Sequence, residues 1–251
     1  PKISRALASL IMSLKRKKYR RSEGLSTAEG IRLIEEALNA DIPLHSAVFT
    51  LDAMENHPQL LTAIKDKGIE IFKTAPAEME RLSPLKSPPG CLVVYKTDYE
   101  PPAREGNLIV ACHKISDPGN LGTVIRAADW FGVSKLILSD ESAELHNPST
   151  VRGSMGSVFR MPSESGIDLT ARITELKSEG YKVAVALTRG GEKPAKTEGR
   201  TILVTGDEYG ELPPELEEIA DYCYTIPKRG QGESLNLAAA ASILLYAMTE
   251  G

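Results

Sequence analysis

From Asn107 onward the chain alternates apolar runs of four to eight residues with segments of helical periodicity, and this alternation restricts the fold more than any other feature of the sequence. The runs cover 108–112, 135–139, 181–187, 201–205 and 222–226, with helical segments at about 120–132, 168–179, 213–220 and 234–248. Strands that are apolar throughout, without an in-out alternation, are buried on both faces and belong to a parallel sheet wound with helices. Ligands of such sheets sit at the carboxyl ends of the strands. The loops after Cys112, Leu187, Thr205 and Ile226 are therefore where a site is expected.

Residues before this region read differently. The stretches 3–18 and 26–40 read as helices, the second opened by the capping-box spacing Ser26 to Glu29, with Ile31, Leu33, Ile34, Ala37 and Leu38 as its apolar stripe. Strand-like stretches at 47–51, 69–73 and 91–95 and helical ones near 58–67 and 76–82 complete a small α/β domain over residues 1–97. Residues 98–106, with Pro101 and Pro102, form a linker, and residues 107–251 form the second domain. The Pro-rich stretch 83–90 precedes the last strand of the first domain and does not divide domains.

Composition narrows the function. With 41% hydrophobic and 25% charged residues the chain is globular, and no apolar run approaches the roughly 18 residues that span a bilayer. The start is basic and briefly apolar, but Lys15-Arg16-Lys17-Lys18 stands where a cleavage site would follow, so no export signal is read and a cytoplasmic, soluble protein is expected. Cys91, Cys112 and Cys223 each sit in an apolar run and are expected to be reduced and structural. The four histidines do not cluster, and no metal site is expected. Residues 1–95 carry 14 basic against 11 acidic side chains, and the remainder 16 against 23. The first 21 residues hold eight cations and no carboxylate, six of them being Lys15, Arg16, Lys17, Lys18, Arg20 and Arg21. Such a cluster suits a nucleic acid, the alternative being a solvated helix face.

Three constellations carry the chemistry. The first, residues 116–132, turns on Pro118-Gly119 and opens a helix bearing Asn120 and Arg126, which lie about 120° apart around its axis. It lacks the full Gly-x-Gly-x-x-Gly fingerprint of dinucleotide sites, and Asn120 as a helix cap with Arg126 in solvent is the alternative. The second, residues 203–212, is a buried strand ending in a glycine turn with Glu208 in its loop. In the third, residues 224–246, a strand passes through a glycine loop into an Ala-rich helix for which Ser234 is a natural N-cap. This helix is apolar on nearly every face, which calls for burial in a core or a subunit interface. Asn236, polar in an apolar turn, needs a partner or a ligand, because leaving it unsatisfied costs about 1–3 kcal/mol.

Together and in this order, the three constellations resemble the SpoU (TrmH-type) RNA ribose 2′-O-methyltransferases of the SPOUT superfamily. Residues 147–156 look like the family's Arg-containing segment, with Arg152 as its RNA-facing cation. Residues 1–97 are similar to the ribosomal-protein-like substrate-binding domain of many members, through Lys18-Tyr19-Arg20 and Glu29-Gly30. The resemblance implies a C-terminal trefoil knot, a rare exception among chain topologies. It also implies a homodimer and S-adenosylmethionine held by Thr188, Gly206, Ile226 and Leu235. Asn120, Arg126, Glu208, Ser234 and Asn236 are the implied catalytic set. The implied reaction is methylation of a ribose 2′-hydroxyl in structured RNA, with ribosomal RNA favoured over transfer RNA by the extra domain. A guanidinium hardly deprotonates in a protein, so Arg126 is expected to bind phosphate and steady the developing oxyanion. Ser234 and Asn236 would orient Arg126 and the ribose, and Glu208 would hold the loop or partner Asn120.

Two departures from the family pattern stand out. Asp207 replaces Asn while Tyr209 and Glu211 replace glycines, which puts the shape of the 206–212 turn at issue, and Lys228-Arg229 follow Ile226-Pro227 where Met is usual. The competing readings are an RNA-binding protein of the same fold without catalysis, a dehydrogenase disfavoured by the missing fingerprint, and a base methyltransferase of the same superfamily.

Overall fold

The computed structural model describes residues 1–250; Gly251, the last residue of the expected second domain, lies outside the described residues. In chain order the elements are α1 (Arg5–Ser13), α2 (Lys17–Glu23), β1 (Leu25–Glu29), α3 (Ile31–Asn39), β2 (Leu44–Thr50), α4 (Leu51–Asn56), α5 (Pro58–Asp66), β3 (Ile71–Thr74), α6 (Pro76–Leu82) and β4 (Cys91–Lys96). They continue with β5 (Leu108–Cys112), α7 (Pro118–Trp130), β6 (Lys135–Ser139), α8 (Pro148–Gly153), β7 (Ser163–Ile167), α9 (Leu169–Ser178), β8 (Lys182–Ala186), β9 (Thr201–Thr205), α10 (Pro214–Glu218), β10 (Tyr222–Tyr224) and α11 (Leu237–Glu250). No described helix is long and apolar enough to cross a membrane.

The chain forms two compact units, Pro1–Glu100 with His146–Arg160, and Pro101–Leu145 with Met161–Gly251. The first is built on the mixed sheet β1-β4-β2-β3, in which β4 runs antiparallel to both neighbours. Leu7, Ile11 and Leu14 pack with Met79 and Leu82 of α6 against Leu25, Val48, Leu92 and Val94 of this sheet.

Two expectations for this unit need correction. The stretch 3–18 is not one helix, because Arg16 is extended (φ −104°, ψ 133°) and separates α1 from α2. Ser26 to Glu29 is not a capping box but strand β1, paired with residues 92–95 of β4. Helix α3 starts at Ile31 after Gly30, whose φ of 98° an L side chain rarely adopts. The capping pattern failed because the Ser26 and Thr27 side chains are buried in the sheet, where Ser26 Oγ donates to the His146 carbonyl at 2.5 Å.

That bond marks a longer excursion. A linear division at 98–106 assigns residues 146–160 to the second domain, whereas they pack into the first unit. Helix α8 lies on β1. Tyr95 OH and His146 Nδ1 share a hydrogen bond of 3.1 Å, Phe159 sets its ring edge-on to Tyr95 at 5.4 Å, and Arg160 reaches the Glu36 carboxylate at 2.5 Å. Gly156 permits the approach, since its φ is 89° and a Cβ there would stand 2.5 Å from Glu36 Cβ. Tyr95, the largest fully buried side chain in the protein, is thus enclosed by a segment from fifty residues later in the chain.

The second unit holds an all-parallel sheet ordered β10-β8-β9-β5-β6-β7. Helices α9 and α10 cover one face through Leu169, Ile173, Leu176 and Leu216, and α7 and α11, packed on each other, cover the other. Strand β7 was missed by the pattern reading because Ser163, Glu164, Ser165 and Gly166 are not apolar; it is an edge strand with one free side. Cys91 and Cys112 are fully buried, and burial pushes their thiols up to about 12 and about 11 respectively, which keeps both unreactive at neutral pH.

Burial, with a smaller push from the Arg20 charge, lowers His146 from 6.5 to about 4. The fold therefore favours neutral His146, and as pH falls the unfolded chain takes up this proton first. Stability contributed by His146 is intact above about pH 6.5 and is lost toward pH 4, by about 3 kcal/mol. Urea denaturation at pH 7 and pH 4 measures it, and His146→Asn is expected to reduce the difference; an unchanged difference in the variant would count against this assignment.

Candidate active site

Strands β5 and β9 run side by side in the middle of the second sheet, with Cys112 opposite Thr205, so the loops that leave their carboxyl ends leave together. His113 N–H donates to the Thr205 carbonyl at 2.9 Å, extending the pairing by one residue. Three residues beyond His113 and Thr205 the two loops meet again, where Glu208 Oε1 accepts hydrogen bonds from Ser116 N–H (2.9 Å), Ser116 Oγ (3.0 Å) and Asp117 N–H (2.9 Å). Burial acts to raise the Glu208 carboxyl, but these donors outweigh it and hold it below the ordinary carboxylate value. Glu208 thus holds the loop that leads into α7 and does not partner Asn120.

Helix α7 is capped by Asp117, whose Oδ1 accepts from Asn120 N–H at 2.7 Å, with Pro118 in the first turn. The alternative in which Asn120 caps the helix is thereby replaced, and the Asp-Pro pair at N-cap and N1 was the available signal. Relieved of capping, the Asn120 side chain faces Asn236 across the second unit, with Asn236 Nδ2 donating to Asn120 Oδ1 at 2.9 Å.

Asn236 also corrects the expected cap of the last helix. Its Oδ1 accepts from Ala238 N–H (3.0 Å) and Ala239 N–H (3.2 Å), so Asn236 caps α11. Ser234 lies two residues outside, exposed and without a polar partner among the described residues. With its oxygen committed to the helix, Asn236 can turn only its amide nitrogen to Asn120. Asn120 must then offer its own oxygen, which leaves the Asn120 Nδ2 donors unused and available to a ligand. Arg126, a turn and a half further along α7, is exposed and makes no hydrogen bond or ion pair among the described residues.

The altered glycine turn keeps its shape by two devices. Asp207 Oδ1 accepts from Tyr209 N–H and Glu211 N–H, both at 2.9 Å, folding the loop on its own side chain. Tyr209 and Glu211, which replace glycines, have negative φ; the left-handed position is Gly210, with φ 80°. Close approach needs the remaining glycines. A Cβ on Gly206 would stand 2.6 Å from the Glu211 carbonyl oxygen, and one on Gly210 would stand 2.5 Å from Thr188 Cγ2. The third loop joins through Thr225, whose hydroxyl donates to the Leu187 carbonyl at 3.1 Å and accepts from Gly191 N–H at 2.9 Å. Thr188 and Gly206 therefore border one loop cluster. Ile226 is half-buried next to Thr225, and Leu235 is half exposed beside the α11 cap.

The basic N-terminal set does not behave as one surface. Arg20 is only 4% exposed and its guanidinium donates to the Leu14 carbonyl at 2.9 Å, so it closes the α1–α2 corner and is not a surface contact. The Lys15 ammonium is spent on the carbonyls of Arg81 (2.7 Å) and Ser83 (2.8 Å). Arg16, Lys17, Lys18, Arg21 and, on α8, Arg152 are exposed.

A deeply wound parallel sheet with its polar groups on three loops at one end is the architecture of a SPOUT-type methyltransferase domain, and comparison with known proteins agrees. Residues 107–246 match the SpoU rRNA Methylase family and residues 9–93 the MRM3-like substrate binding domain. The chain belongs to the SpoU rRNA methylase family. It is 30% identical over 232 residues, 92% of this chain and 90% of the relative, to the 23S rRNA (guanosine(2553)-2′-O)-methyltransferase RlmP of Bacillus subtilis. It is 30% identical over 58% of its length, and 53% of the relative's, to a 23S rRNA (uridine(2479)-2′-O)-methyltransferase of Streptomyces viridochromogenes. The AdoMet-bound rRNA methyltransferase from Sinorhizobium meliloti superposes with a TM-score of 0.85 at 27% identity, covering 98% of this chain and 96% of that one.

The cap geometry separates two roles of Asn236. Asn236→Ala is expected to cost about 1 kcal/mol of stability through the lost cap. Asn236→Asp keeps the cap and the stability but obliges Asn120 to turn its amide nitrogen inward. Thermal denaturation distinguishes the two, and equal losses would contradict the capping role.

Proposed function

We propose that this protein transfers the methyl group of S-adenosylmethionine to a ribose 2′-hydroxyl of ribosomal RNA. The observation that carries the reading is the set of interlocked loops at the carboxyl ends of β5, β8, β9 and β10, where Glu208 and the Asn120–Asn236 pair are held beside a glycine turn. The residues present fit the cofactor. The Gly206 and Gly210 positions admit no side chain, and Thr188, Ile226 and Leu235 supply a partly apolar border for an adenosine. When bound, S-adenosylmethionine supplies an electrophilic methyl on a sulfonium.

The remaining work belongs to the chain. A ribose hydroxyl is a weak nucleophile, so its oxygen must be aligned for in-line attack and its growing charge stabilised. Asn120 Nδ2, oriented outward by Asn236, is a donor for the ribose. Arg126, exposed and unpaired, binds the adjoining phosphate and steadies the developing oxyanion without losing its own proton. Ser234 sits exposed in the loop before the α11 cap, within the same segment as Leu235, and is assigned to orient Arg126 and the ribose. The proton leaves to a phosphate oxygen or water.

The trefoil knot and the dimer belong to the same proposal. Thr197 N–H donates to the Met248 carbonyl at 3.1 Å, which lays the β8–β9 loop across the end of α11 and supports threading of the C-terminal segment. On α7 and α11, Trp130 is 84% exposed and Tyr246 58%, with Phe131 edge-on to Tyr246 at 6.3 Å. An apolar, aromatic patch of this kind supports a homodimer through these helices. Trp130→Glu is expected to shift the protein to a monomer in light-scattering chromatography.

RNA contacts are assigned to Arg16, Lys17, Lys18 and Arg21 of the first unit and to Arg152. Replacing Arg16, Lys17 and Lys18 by Ala should lower the slope of log affinity against log salt by about 2, with cofactor affinity unchanged. Calorimetric titration with S-adenosylhomocysteine should show one site per chain. Arg126→Ala should retain that binding and lose methyl transfer to unmodified ribosomal RNA by at least about 100-fold. Absence of S-adenosylhomocysteine binding, even with RNA present, would favour an RNA-binding protein without catalysis.

A further inference from the structure

Tyr209 is 84% exposed, and among the described residues its ring packs on no other ring and its hydroxyl makes no hydrogen bond. Its backbone, by contrast, is held on a fixed turn. Tyr209 N–H donates to Asp207 Oδ1 at 2.9 Å, and Gly210 N–H donates to the Asp207 carbonyl at 2.9 Å. Glu208, just before it, is bonded to Ser116 and Asp117, and Gly210, just after it, lies where a Cβ would stand 2.5 Å from Thr188 Cγ2. The left-handed position of the turn is Gly210, so residue 209 is free to be of almost any type and the turn does not account for an aromatic there. A tyrosine has two rotatable side-chain bonds, and on so fixed a backbone it loses little freedom when a ligand packs on it.

The groups on either side of the ring suit a nucleotide. On one side, the Glu208 bonds tie the turn to the start of α7, which carries Asn120 with its unused amide nitrogen. On the other, the Thr188 contact brings in the loop after β8, whose next residue, Arg189, is exposed and makes no hydrogen bond or ion pair among the described residues. That loop is bonded in turn to the loop after β10. Gly191 N–H donates to Thr225 Oγ1 at 2.9 Å, and Thr225 N–H donates to the Glu192 carbonyl at 2.8 Å. Lys193, Lys228 and Arg229 on these two loops are likewise exposed and unpaired among the described residues, against the carboxylates of Glu192 and Glu233. An aromatic face, a donor for a ribose hydroxyl and cations for phosphate are thus drawn together by contacts within one unit.

A ring that walled a small cofactor would be largely covered by the pocket around it, and one that met a second copy of the chain would be surrounded by other apolar side chains. Tyr209 has neither surround. Its exposure and its cationic neighbours fit a polyanion with flat apolar faces, which is single-stranded RNA. We propose that Tyr209 is a stacking platform for a splayed base of the RNA beside the methylated ribose, with Arg189 binding an adjoining phosphate. Every base has a face that stacks on an aromatic ring, so this contact positions the strand and reads little of its sequence. The inference rests on the RNA-directed function proposed above and adds a contact to the bases, where that reading names only ribose and phosphate contacts.

The test is fluorescence anisotropy of the full chain at low salt with two labelled probes, heptaadenosine RNA and a heptamer of the same ribose-phosphate backbone without bases. Wild-type protein should bind heptaadenosine, and Tyr209→Ala should bind it about tenfold more weakly while its affinity for the abasic heptamer stays the same. Tyr209→Phe keeps the ring and should match the wild type. Tyr209→Trp should show indole emission that heptaadenosine quenches and the abasic heptamer does not, with the wild-type signal of Trp130, the only tryptophan, as the blank. Arg189→Gln should weaken both probes and lower the slope of log affinity against log salt by about 0.7; an unchanged slope would overturn its part. Equal losses on the two probes in Tyr209→Ala, no loss on either, or no binding of heptaadenosine by the wild type would each overturn the proposal. A loss of S-adenosylhomocysteine affinity in Tyr209→Ala would overturn it by placing the ring on the cofactor, and a smaller species in light-scattering chromatography by placing it between two copies. Titration of the wild type with S-adenosylhomocysteine separates the two levels: cofactor binding with no base-dependent effect of Tyr209 removes the platform alone, and no cofactor binding removes the methyltransferase reading.

Discussion

The parallel pairing of β5 with β9 is the constraint on which the site depends. Strands paired in this sense send their chains off in the same direction, so residues 113–117 and 206–212 emerge as neighbours although ninety residues separate them. Only then can one carboxylate oxygen of Glu208 gather three donors from Ser116 and Asp117. The loop so held sets Asp117 at the start of α7, and Asp117 as the cap frees the Asn120 side chain.

From that point a chain of hydrogen bonds leaves little choice of orientation. The free N–H groups at the start of α11 take the oxygen of Asn236, the nitrogen of Asn236 takes the oxygen of Asn120, and the nitrogen of Asn120 is left without a partner among the described residues. A helix terminus, a feature every helix has, is here used to decide which end of an amide another residue presents. The same economy appears in the 206–212 turn, where Asp207 accepts two backbone donors and one left-handed glycine suffices.

Much of this was legible in residue order. The apolar runs located strands β5, β6, β8 and β9 to within a residue or two, because strands buried on both faces leave a continuous signal. Asn120 and Glu208 follow glycine turns at strand ends and Asn236 is polar in an apolar turn, whereas Arg126, well inside α7, joins them through the family resemblance. Strand β7 escaped because an exposed edge does not require apolar residues. The Ser26 to Glu29 pattern misled because a capping box and a buried polar strand share residue types, and only the distant His146 carbonyl distinguishes them. Arg20 looked like an RNA contact because charge is readable in a sequence and its buried bond to the Leu14 carbonyl is not.

Sequence alone determined the parallel α/β class, the position of the glycine turns, and the identity of the polar groups near the site, since these follow from local periodicity and backbone conformational limits. Tertiary structure decided which helix each asparagine serves, which cations remain exposed, and that residues 146–160 complete the first unit. Each of these depends on a partner far along the chain, and a hydrogen bond or an apolar contact leaves no mark on the local pattern of either residue that makes it.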